Sequence, residues 1–196
     1  MRRVLGIDPG TYRTGFGVVE ERGNRLHPVA FGTHRAPAGS PLPDRLRVLH
    51  AAVLATIDLH APEALAVEDV FFGKSYAAAI RIGEGRAIAL LAAAERGIPA
   101  FEYAPALVKR SVATNGLAPK SQVAAMVRTI LGLKERDGEL EPDAADALAI
   151  AITHLHRAKW AWAQARTSSR PRSRSRSRRA RPAGTGPPIG ADRPPG

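Results

Sequence analysis

The chain has 196 residues, 44% of them hydrophobic, with 29 Lys and Arg against 18 Asp and Glu for a formal charge of +11, and it holds no cysteine. That length admits one ordinary domain, or one domain and a tail, and the charge points to a polyanionic partner. A disulfide scaffold, a Cys-ligated metal and a thiol nucleophile are excluded, as is a helical membrane span, since no run reaches about 18 apolar residues.

The segment Met1–Asp8 meets an acid after only a few apolar residues, unlike a secretory signal, so a cytoplasmic protein is expected. Val4-Leu5-Gly6-Ile7 reads as a short buried strand that ends at Asp8 and is broken by Pro9-Gly10. Thr14 to Glu20 alternates like a second strand and His27 to Thr33 like a third. The turn Glu21-Arg22-Gly23-Asn24 makes these three an antiparallel meander. Pro43 fits the first turn of a helix whose apolar stripe is Leu42, Leu46, Leu49, Val53, Leu54 and Ile57. Ala64 to Val67 is a fourth strand, ending at Glu68. An Ala-rich helix follows from about Ser75 to Arg96, weakened at Gly83-Glu84-Gly85 and stopped by Gly97-Ile98-Pro99. Ala100 to Tyr103 is a fifth strand, and helices are expected over 105–114, 121–132 and 142–162. The fold class is therefore α/β, a mixed five-stranded sheet with helices on both faces.

Composition changes near Ala165. Residues 166–196 contain nine arginines and one acid, Asp192, with Ile189 as the one large aliphatic, for a net +8. Such a segment buries too little apolar surface to offset its chain entropy. Two regions are expected, a folded domain over 1–165 and a disordered Arg/Ser/Pro-rich tail over 166–196. The tail is either a dispensable solvated segment or a nonspecific nucleic-acid arm acting by counterion release.

Four acids stand out by position. Asp8 and Glu68 each close a buried strand, and adjacent parallel strands would aim both into one crevice. Asp143 and Asp146 sit three apart on one helix face. Each has a plain structural alternative. Asp8 can cap its turn, Asp143 can complement a helix dipole, and Asp146, among Ala, Leu and Ile, can form a buried salt bridge. Asp69 reads as a surface charge. Jointly, carboxylates without Cys or a His-rich cluster suit hard cations with oxygen ligands, Mg²⁺ or Mn²⁺. Two such ions can activate a water and stabilise a leaving oxygen, so phosphodiester hydrolysis is the natural chemistry.

The strings VLGIDPGTYRTGFGVV, LAVEDVFFGKS, VKRSVATNGLAPKSQVAAMV and PDAADALAIAITHLH resemble, in order and spacing, the motifs of the RuvC family of Holliday junction resolvases. They span residues 1 to about 160. The resemblance implies an RNase H-like fold and a homodimer whose interface includes the helix after the Glu68 strand. It also implies Mg²⁺-dependent cleavage with two ions per site, Mn²⁺ being the alternative. A four-way junction is nicked symmetrically, leaving 5′-phosphate and 3′-hydroxyl ends. Asp8, Glu68, Asp143 and Asp146 fall on the family's metal-binding catalytic acids, Phe71 on an aromatic that contacts bases, and Lys109 and Lys120 on DNA-contacting positions. Phe71 has packing beneath the loop as its alternative, and both lysines have ordinary solvation. The RuvA–RuvB branch-migration proteins are the implied partners.

Thr11, Arg13 and Thr14 lie in a Gly-flanked turn where amides and hydroxyls approach a phosphate. His154 and His156 read as surface or supporting groups rather than metal ligands. Three other readings compete: a phosphate-binding loop of the actin and sugar-kinase type, a related nuclease acting on RNA or other nucleic acid, and a non-catalytic basic DNA-binding module whose acids are structural. The first needs two lobes, and about 165 residues supply one.

Overall fold

The structure, a computed structural model, describes residues 2–69, 76–134 and 138–168, with side chains described except at 76–78 and 159–168. Five strands, β1 (Arg2–Asp8), β2 (Arg13–Arg22), β3 (Arg25–Arg35), β4 (Ala64–Glu68) and β5 (Ala100–Tyr103), form one sheet in the order β3-β2-β1-β4-β5. β1, β2 and β3 make the antiparallel meander. β4 lies parallel to β1, and β5 parallel to β4.

Successive side chains in a strand point to opposite faces, and two cores result. Leu5, Ile7, Val18, Leu65 and Val67 pack with α1 (Leu42–His60) and α2 (Tyr76–Glu95). Val4, Val19 and Ala66 pack on the other face with α3 (Pro105–Ala113), α4 (Lys120–Leu131) and α5 (Pro142–Ser168). Parity then fixes the strand ends: Asp8 follows Val4 and Gly6, and Glu68 follows Ala66, so both belong to the α5 face.

α5 is apolar almost all round, and such a helix is a central one. Residues 144, 145 and 147–155 are all buried, while Asp143 and Asp146 stay partly open. Full burial of Leu148, Ile150, Ile152 and Leu155 contributes on the order of 2 kcal/mol each. The helix rests on the sheet by direct backbone contact. A Cβ on Gly6 would strike the Ala147 carbonyl oxygen, and one on Gly15 the carbonyl oxygen of Asp143. Those two glycines let the acid-bearing turn of α5 lie against the strand that ends in Asp8.

Three sequence expectations shift. β2 and β3 are longer than their alternating cores, because the meander zips from Arg13↔Arg35 to Arg22↔Arg25. The helix over 142–162 continues to Ser168, its added residues being mostly helix formers such as Ala and Gln. The buried stripe of α1 is Arg45, Leu49, Val53, Thr56 and Ile57; it includes a guanidinium and a hydroxyl, while Leu42, Leu46 and Leu54 of the expected stripe are only partly buried.

Candidate active site

The neighbouring parallel strands β1 and β4 run in register, Ile7 beside Val67, and so deliver Asp8 and Glu68 side by side at their C-terminal ends. α5 supplies Asp146 from the layer above. α3 starts at Pro105, directly after β5, and presents Lys109 one turn later. α4 begins at Lys120 after Pro119. Asp8, Glu68, Asp146, Lys109 and Lys120 line one cleft of about 250 Å³. Water takes about 30 Å³ per molecule, so the cleft has room for hydrated cations beside a phosphate group.

The cleft is electrostatically strained. Asp8 is pushed up to about 8, first by burial and then by the negative charges of Asp146 and Glu68. Glu68 is raised as well, by burial and then by Asp146, with Lys120 and Lys109 opposing. Lys120 Nζ donates to Asp146 Oδ2 at 2.6 Å, and this bond raises the Lys120 pKa. The ammonium is the counter-charge of the acid cluster.

Asp143 is placed differently. It lines a second hollow of about 270 Å³, formed with Asp8, the Pro9–Arg13 turn, Arg81 and Ile82. Its Oδ2 lies 3.4 Å from Arg13 Nε. Asp8 borders both hollows, so the four acids surround one strand end while only three share the cleft. Among the described residues no three acids or histidines are drawn tightly enough to enclose one ion. The donor chemistry nevertheless fits a hard cation, since every ligand is an oxygen and the cluster is short of positive charge.

Residues 4–154 match the family described as crossover junction endodeoxyribonuclease RuvC. The chain belongs to the RuvC family. The RuvC of Desulfitobacterium hafniense is 47% identical over 146 residues, covering 74% of this chain and 87% of that one. The RuvC of Myxococcus xanthus is 49% identical over 147 residues, covering 75% and 76%. Among solved structures, Thermus thermophilus RuvC in complex with a Holliday junction substrate is 38% identical, with a TM-score of 0.75 over 82% of this chain and 97% of that one. The sheet and its two helical layers are the RNase H-like arrangement of RuvC. No helix among the described residues is long and apolar enough to cross a membrane.

Within this RuvC frame most residues singled out from sequence converge, and a few do not. Phe71 lies outside the described residues. Thr11 and Thr14 are buried, and the Thr14 hydroxyl donates to the Gly10 carbonyl at 3.0 Å, so it holds the turn rather than a phosphate. Of the two roles expected for His154, surface or supporting, the structure shows the supporting one. His154 is buried, its Nδ1 is 2.8 Å from the Tyr103 hydroxyl, and Phe101 packs against its ring. The Gly83-Glu84-Gly85 stretch does not interrupt α2; Gly85 abuts the Gly10 backbone, leaving no room for a Cβ. Sequence reasoning missed Tyr12 and Arg45. The signal for Arg45 was its place in the α1 helical stripe, masked by its residue type.

Proposed function

We infer that this chain is a Holliday junction resolvase, a divalent-metal-dependent endodeoxyribonuclease that cuts four-way DNA junctions. The observation carrying the reading is the union of Asp8, Glu68 and Asp146 with Lys109 and Lys120 in one cleft at the ends of paired parallel strands. An actin-type phosphate loop does not need three strand-end and helix acids facing one another. A basic binding module has no use for a carboxyl raised to about 8.

Asp8, Glu68 and Asp146 would hold the cations, with Asp8 central because it borders both hollows and Asp143 serving from the Arg13 side. Mg²⁺, two per site, is the proposed cofactor; it supplies an activated water and stabilises the leaving 3′ oxygen. Lys109 and Lys120 draw the phosphate backbone toward the acids, which would otherwise repel it. Lys120 keeps the cleft neutral enough to fold before a cation arrives. Phe71, three residues after Glu68 in the sequence, is the proposed base-stacking ring. A homodimer, formed with α2, presents two sites to a nearly two-fold junction and yields paired cuts. The exposed Ile80 and Leu91 of α2 favour that face. In the cell the protein works in the cytoplasm with RuvA–RuvB. Residues 1–165 carry the reaction, and 166–196 form a basic arm.

The test is cutting of a synthetic four-way junction, with a duplex control, in the presence of Mg²⁺. The wild type nicks the junction symmetrically and spares the duplex. Asp8→Asn, Glu68→Gln and Asp146→Asn each reduce cutting by at least about a thousandfold, on the scale of losing metal-based catalysis, yet retain junction binding. Normal cutting by any of the three removes that residue from the site, and an inert, well-folded wild-type dimer refutes the reading.

A further inference from the structure

The second hollow contains groups that the cutting chemistry leaves unused. Tyr12, in the turn after β1, is 54% exposed, yet its ring lies over the Arg45 guanidinium, with Cζ 3.6 Å from the ring centroid. Arg45 is 8% exposed, and its Nε and Nη1 have no hydrogen-bond partner. A guanidinium that far from water is costly unless something offsets it, and the face of an aromatic ring does so by cation–π attraction. The ring is also tethered through its backbone, where the Tyr12 carbonyl accepts the Ala36 N–H at 3.0 Å. Tyr12 is thus a fixed plate, held from below by a buried cation and open to solvent on its other side.

This plate borders the hollow that holds Asp8, Arg13, Arg81 and Asp143. Arg13 is itself well exposed and offsets Asp143, so an incoming phosphate does not face a bare carboxylate there. An open aromatic face beside cations is the arrangement that grips single-stranded nucleic acid. A base inside a duplex has both faces covered by its neighbours, so only an unpaired base can lie on the ring.

We propose that this hollow is a nucleotide subsite: one unpaired nucleotide adjoining the scissile phosphate stacks its base on Tyr12 and sets its phosphate between Arg13 and Arg81. The proposal rests on the nuclease reading above for its position relative to the cut. Arg45 is a positioning residue that fixes the plate.

The full chain is tested without metal, so that binding is read apart from cutting. The probe is a four-way junction carrying 2-aminopurine at a nucleotide beside the cut that is left unpaired by a mismatch, so that it is bright before binding and its fluorescence falls when it stacks on a ring. The wild type quenches the probe. Tyr12→Leu and Tyr12→Ala abolish the quench and weaken junction binding about tenfold, within the range expected for one lost base–aromatic stack. Tyr12→Phe retains both. Arg13→Gln with Arg81→Gln lowers the salt dependence of binding by about one phosphate contact. Wild-type affinity and quenching in folded Tyr12→Leu overturn the subsite while leaving the nuclease reading intact. If the wild type cuts no junction with Mg²⁺ but the quench still depends on Tyr12, the nuclease reading fails and the nucleotide subsite stands.

Discussion

Asp8 keeps its proton at neutral pH when no cation is bound, because burial and two neighbouring carboxylates oppose its charge. The consequence for stability has a definite sign. Its folded pKa of about 8 exceeds the ordinary value of 3.8, so the folded state retains a proton that the unfolded chain releases. The associated stability is complete below pH 4 and is lost as pH rises through 8. Melting in the presence of a chelator should therefore drop steadily from pH 5 to 8.5. Asp8→Asn, which cannot ionise, should melt higher than wild type at pH 8 by the equivalent of a few kcal/mol, with the gap closing toward pH 5. A gap that does not change with pH would show that Asp8 is not the strained group. Lys120 is the complementary case. Lys120→Met removes the partner of Asp146 and one cation from the cleft, so junction binding should weaken and the salt slope should fall by about one contact.

At the scale of elements, the site depends on how α5 meets β1 and β2. Gly15 stands across from Asp8 in the β1–β2 ladder, and its missing Cβ leaves space for the Asp143 carbonyl. Gly15→Ala should cost about 1–3 kcal/mol, the usual range for overpacking, as a lower urea midpoint. It should also slow cutting, because the acid-bearing turn is lifted from the strand end. Much of this was legible in the chain itself. The apolar strings ending in Asp8 and Glu68, the three-residue spacing of Asp143 and Asp146 and the apolar run from Ala147 to Ile152 pointed to the strands, the central helix and the acids gathered at its start. What sequence did not reveal involves contacts between segments far apart in the chain. Arg45 in a helical stripe reads as solvated until Tyr12, from another element, covers it. His154 reads equally as a surface or a supporting group until the Tyr103 hydroxyl, 51 positions away, meets it. Nor does i, i+3 spacing reveal that Asp143 faces Arg13 in one hollow while Asp146 faces Lys120 in the other.

For the whole molecule, the overall charge of +11 is the sum of two unlike parts. Residues 1–165 carry 20 bases and 17 acids, only +3, and residues 166–196 supply +8. DNA attraction by the first part must therefore come from local placement of cations around an acidic centre, the role proposed for Lys109, Lys120, Arg13 and Arg81. Removing 166–196 should weaken structure-blind duplex binding at low salt, most visibly as a shallower salt dependence in titrations. Junction-specific cutting should persist. Its loss in a folded truncation would place the domain boundary elsewhere. The glycine seam beneath α5 has a consequence at this same scale. Contact there is backbone against backbone, with no rotamer to swing and no flexible side chain to yield. The distance between strand end and helix is then inherited from the path of the chain, as in a mortised joint. Heating should leave the nuclease fully competent until the global transition and abolish it in that one step, with no earlier phase in which the protein is folded but inactive.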